Sequence, residues 1–78
     1  MLKREQYVKA VGANIRRIRK LKKLSMEALA HEMEMEYRHL GRIERGEINT
    51  RLSTLYEIAK ALKIDVKDMF DFEHIYPK

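Results

Sequence analysis

In the stretch "YRHLGRIERGE", residues 37–47, three arginines recur at helical intervals: Arg38, Arg42 and Arg45. On a helix, positions 38, 41, 42 and 45 share one face, opposite Leu40 and Ile43. The planar forks of Arg38 and Arg42 match the paired O6/N7 acceptors on the major-groove edge of guanine. Tyr37, at the start of that helix, can stack on a thymine methyl or donate its hydroxyl to a phosphate. Gly41 removes bulk between the arginines, so the helix axis can come close to base edges. A rival chemistry stands just upstream, where His31 and His39 flank Glu32, Glu34 and Glu36. Their spacing follows no metal-ligand pattern, so neither a metal nor a cofactor is expected. Ser25 and Ser53 sit in no nucleophile motif and read as a helix cap and a helix surface. No catalytic constellation points to an enzyme.

At 78 residues the chain is one domain, expected to span 1–78 and near the lower size for folding without staples. It has no cysteine, so the core must come from the 45% of residues that are hydrophobic. No apolar run approaches the ~18–20 residues that span a bilayer, and the basic N-terminus lacks a signal-peptide core. The net charge of +5 and pI near 9.6 favour polyanions, nucleic acid before anionic membrane. Charge is unevenly spread: residues 1–25 carry nine Lys/Arg against Glu5 alone, whereas residues 26–50 carry three Arg against six Glu. A basic first helix can lie on a membrane. Its apolar stripe, however, is needed for so small a core, and no membrane partner is expected.

Val8, Val11, Ile15, Ile18 and Leu21/Lys22 recur every three or four residues, the stripe of a first helix over roughly residues 3–22. Gly12 inside it costs ~1 kcal/mol relative to Ala, which implies a close packing contact. Ser25 is a good N-cap for a short second helix over residues 26–31. The third helix runs from Tyr37 to Arg45 and stops at Gly46. Leu52, Leu55, Ile58, Ala59 and Leu62 mark a fourth, with Thr50 as candidate cap. Asp65 and Asp68 bracket a fifth, brief turn over residues 66–70, and residues 71–78 form a tail. The alternation of Glu32, Glu34 and Glu36 with Met33 and Met35 has the period of a strand, but no second strand candidate exists to pair with it. It is predicted to be a corner between helices, methionines inward and glutamates outward. The fold class is all-α.

The ordered set of residues in "LSMEALAHEMEMEYRHLGRIERGEINTRLSTLYEIAKALKIDVKDMF" resembles the helix-turn-helix domain of the Cro/lambda-repressor-like (XRE) family. Its landmarks are Ile15-Arg16-Arg17-Ile18-Arg19, the Leu24-Ser25 start, Leu29-Ala30, Ile43-Glu44-Arg45-Gly46, and Leu55-Ile58-Ala59-Ala61-Leu62. The resemblance covers about residues 11–70 and implies a five-helix domain whose helices 2 and 3 form the motif. It implies base readout by Tyr37, Arg38, Gly41 and Arg42, and phosphate contact around Ser25, Met26, Arg45, Asn49 and Arg51. It also implies a structural ion pair between Arg19 and Glu44. Three departures stand out. Met26 replaces the usual Gln, leaving backbone N–H groups to meet a phosphate there. Glu34 replaces the usual corner Gly, so the left-handed turn is strained or built differently. Glu36 replaces the usual Ser/Thr/Asp cap.

The function implied is a sequence-specific transcription regulator, a repressor working as a homodimer on double-stranded DNA at an inverted repeat. Its expected place is the cytoplasm, on the nucleoid when bound. The alternative is an antitoxin or accessory module whose main task is binding another protein. The residues left for a dimer interface are Leu52 and Tyr56 on helix 4, Met69 and Phe70 on helix 5, and Phe72 and Ile75 in the tail.

Overall fold

The first helix, α1, spans Arg4–Leu21 and turns the stripe Val11, Ile15 and Ile18 into one wall of the core. It is followed by α2 (Met26–Glu32), α3 (Tyr37–Glu44), α4 (Leu52–Leu62) and two 3-10 turns, Val66–Phe70 and Phe72–His74. This computed structural model describes residues 1–76, so Pro77 and Lys78 of the tail lie outside the described residues. Among the described residues there is no strand. Ile15, Leu29, Leu40, Ile58, Leu62 and Met69, one or more from each α-helix and one from the first 3-10 turn, are closed to solvent and interlock at the centre. Leu21 is a correction to the expected stripe, being 68% exposed on the last turn of α1. The chain reverses there, and Leu24 reaches the core in its place.

α1, α2, α3 and α4 all end in the same kind of turn, in which one residue takes the left-handed conformation. After α2, the Glu34 N–H donates to the His31 carbonyl and the Met35 N–H to the Ala30 carbonyl, with Glu34 left-handed at φ 55°. Lys23 (φ 59°) and Lys63 (φ 60°) occupy the equivalent place after α1 and α4. This is the Schellman arrangement, which satisfies the last carbonyls of a helix and normally recruits Gly at the left-handed residue. The corner therefore keeps its usual shape in spite of Glu34. Met33 and Met35 tuck against the core while Glu32, Glu34 and Glu36 stay in water. Because a Cβ in this conformation is strained, Glu34→Gly is expected to stabilise the fold by about 1 kcal/mol. That is a rise of roughly 4–8 °C in thermal midpoint for a domain of this size. A lower midpoint would show that the Glu34 side chain itself braces the corner.

Two local expectations are corrected. Thr50 does not cap α4: Arg51 holds the cap position and makes no side-chain cap hydrogen bond. Met69 is 0% exposed and belongs to the core, so it cannot serve an interface. The tail turns back because Asn14, fully buried on α1, donates its amide to the carbonyls of Met69 (3.0 Å) and Asp71 (2.7 Å). Its own oxygen accepts from Arg17 Nε at 3.2 Å, so this buried amide has every polar atom partnered. Phe70 and Phe72 are half-buried in their own chain, where the Phe72 ring meets Tyr7 edge-on at 4.9 Å.

Candidate nucleic-acid interface

The local sequence leaves α3 with two unlike faces. Leu40 and Ile43 are buried with 0% and 2% exposure, while Tyr37, Arg38 and Arg42 stand in solvent. Beneath it, Arg19 of α1 holds Glu44 through two hydrogen bonds, Nε to Oε2 at 2.8 Å and Nη2 to Oε1 at 3.0 Å. The remaining Arg19 donor, Nη1, reaches the Leu24 carbonyl at 2.8 Å, so one guanidinium ties α1, α3 and the loop between α1 and α2. The hydrogen bond to Glu44, ahead of its charge, raises the Arg19 pKa further above the ordinary arginine range, against the opposing effect of burial. Glu36 caps α3 without a side-chain hydrogen bond, consistent with a carboxylate left in water near the helix dipole.

Gly41 is buried rather than open. A Cβ there would lie 3.0 Å from Arg45 Nη1 and 3.6 Å from Met26 Sδ, so the room it leaves is filled by this chain's own side chains. Met26 accordingly packs between α2 and α3, and Ser25 spends its hydroxyl accepting the Ala28 N–H at 3.0 Å. Arg45 lies along α3 with its Nε 2.7 Å from Glu47 Oε2 and its Nη2 3.4 Å from Oε1. Arg42 Nε stands 3.9 Å from the same carboxylate. The Arg45 hydrogen bond is the leading cause that keeps the Glu47 carboxyl below the usual carboxylate range, with the charges of Arg45 and Arg42 adding to it. A depressed pKa means that the clasp is present at neutral pH and is lost only as pH falls through that lowered value.

Between α1 and α3 runs a groove of about 680 Å³ walled by Arg16, Arg17, Lys20 and Arg45, with Ile75 of the tail at its edge. Asn49 and Arg51 are exposed on the loop leading into α4, beside His39. The expected base-reading arginines and the loop residues are thus accessible. Leu52 and Tyr56 are exposed on α4 at 69% and 55%. Sequence reasoning missed the parts played by Glu47 and Asn14. Only for Asn14 was there a signal: it falls on the buried face of α1, between Val11 and Ile18 at helical spacing. Among the described residues no group of three His, Asp or Glu stands close enough to hold a metal ion, and no helix is long and apolar enough to cross a membrane.

Residues 15–69 match the family model described as helix-turn-helix. The chain belongs to the helix-turn-helix family. This helix-turn-helix protein is 38% identical over 65 residues to the control protein C.BamHI of Bacillus amyloliquefaciens, covering 82% of this chain and 80% of that one. It is 42% identical over 56 residues to the control protein C.SmaI of Serratia marcescens, covering 72% and 67%. Its structure is similar to that of the restriction-modification controller protein C.AhdI from Aeromonas hydrophila, with TM-score 0.78 and 32% identity over 81% of this chain and 96% of that one. The helix-turn-helix protein is a DNA-binding transcriptional regulator.

Proposed function

We propose that this regulator acts as a homodimeric repressor on a two-fold operator, and that it serves a restriction–modification system. The observation that carries the reading is α3 itself. Arg38 and Arg42 project into solvent from a helix whose other face is locked to α1 by the buried Arg19–Glu44 pair. A major groove admits one such helix, and a bidentate arginine–guanine contact discriminates by ~1–3 kcal/mol. Tyr37 stands at the same end. Ser25, Met26, Arg45, Asn49 and Arg51 would position the duplex through its phosphates without reading it. The names of the relatives support the restriction–modification setting. One α3 covers too few base pairs to select a site in a genome, which favours pairing two copies with half-sites ~34 Å apart. Leu52 and Tyr56, one turn apart on α4 and both exposed, would offer that interface an apolar patch.

Selecting bound duplexes from a random pool tests the reading directly, because it reports half-site sequence, symmetry and spacing together. With the selected operator, affinity should fall steeply with salt, by about 0.9 in log–log slope for each phosphate neutralised. Arg42→Ala should lose ~1–3 kcal/mol and relax the preference at one base pair per half-site. Arg51→Ala should weaken binding to every sequence alike. A flat salt dependence would remove the reading, and uniform losses in both variants would move the reading face elsewhere.

A further inference from the structure

The turn that ends α3 differs from its three counterparts in two respects. After α1, α2 and α4, the residue next to the left-handed position is apolar (Leu24, Met35 and Ile64), and each packs on the core. After α3 the left-handed residue is Gly46, at φ 69°, and the next residue is Glu47. The Gly46 N–H donates to the Ile43 carbonyl at 3.0 Å and the Glu47 N–H to the Arg42 carbonyl at 2.9 Å, the same paired closure as in the other turns. That closure folds the chain back over the last turn of α3. The place that elsewhere carries a core-seeking side chain here brings a carboxylate, 48% exposed, onto two arginines of the DNA-facing surface. Its two oxygens take the Nε and Nη2 edge of Arg45, one of the edges by which an arginine grips a phosphate. The third nitrogen, Nη1, is held over the bare Cα of Gly41.

We propose that Glu47 is an internal competitor for phosphate: it occupies Arg45 in the free protein, and DNA of any sequence must displace it before that arginine can take the backbone. The inference rests on the DNA-binding reading. Its effect is to weaken the general electrostatic grip, which dominates non-specific binding. An exposed pair of this kind is worth little to the fold, so the carboxylate is better understood by what it withholds from DNA than by what it adds to stability.

The test is a double-mutant cycle on a random-sequence duplex, with Glu36→Gln as a control for simple loss of negative charge near α3. Glu47→Gln is expected to raise affinity roughly threefold to tenfold and to steepen the salt slope by up to about 0.9. The control should change affinity by less. In an Arg45→Ala background, Glu47→Gln should gain clearly less than it does beside Arg45, because only the 3.9 Å contact with Arg42 is left to release. A gain of equal size with and without Arg45 would overturn the proposal and leave Glu47 as bulk charge. Loss of affinity in Glu47→Gln would overturn it in the opposite sense, making the carboxylate a support that aims Arg45 at DNA. Wild-type protein that binds no duplex at low salt would sink the DNA-binding reading and the proposal together. Salt-dependent wild-type binding with an unchanged Glu47→Gln variant would sink the proposal alone.

Discussion

Glu44→Ala should destabilise the domain by about 3–5 kcal/mol, a large share of the ~5–15 kcal/mol that folded domains possess. The reason is what it leaves behind. The Arg19 side chain is only 9% exposed, and without Glu44 its Nε and Nη2 donors face a cavity instead of a carboxylate. Arginine does not escape by losing its proton, because its pKa lies far above any pH at which the fold is used. Since folding raises the pKa of Arg19, the stability that comes from its protonation is fully present below the ordinary arginine range and is lost as pH rises through the raised value. High salt should spare this contribution, as buried pairs are screened far less than exposed ones. Urea unfolding of the single variants, and of Arg19→Met combined with Glu44→Leu, provides the check. The double variant should recover much of the loss, since apolar residues often replace a buried pair without penalty. A single variant within about 1 kcal/mol of wild type would mean that water reaches the pair and holds the stranded charge.

Gly12→Ala should damage the fold although it adds a single carbon to this chain. Added at Gly12, a Cβ would press on the carbonyl oxygen of Ile43 and stand 2.7 Å from that of Glu44. Both obstacles are main chain of α3 and cannot rotate aside, so α3 must shift off α1. Alanine's better helix propensity, worth ~1 kcal/mol, works in the other direction. Overpacking of this kind commonly costs ~1–3 kcal/mol or more, so a net loss is expected in thermal unfolding. On the proposed function, DNA affinity should drop beyond what instability explains, because the angle at which α3 would enter a major groove is set by this same crossing. Variant protein as stable as wild type, with unchanged operator affinity, would show that the two helices can separate without consequence.

The helices were legible because their cause is local. Val11, Ile15 and Ile18, and Leu55, Ile58, Ala59 and Leu62, repeat with the helical period and end at turn residues, so elements and core faces follow from spacing alone. The same holds for Gly12, whose presence inside a helix makes sense only as a place of close approach. The ordered landmarks from Ile15 to Leu62 then identify the motif and the helix that should face DNA. Spacing could not decide which apolar residues near the C-terminus remain free. Met69 reads like an interface residue, but the buried Asn14 amide draws the carbonyls of Met69 and Asp71 onto α1 and closes the core over Met69. Nor does spacing reveal that Gly41 lies beneath Arg45 and Met26 or that Glu47 meets Arg45. Periodicity records which side of its own helix a residue occupies, whereas these contacts depend on where the chain goes after the helix ends. A left-handed turn of two residues reverses it, and only the folded backbone says what then lies within hydrogen-bonding distance.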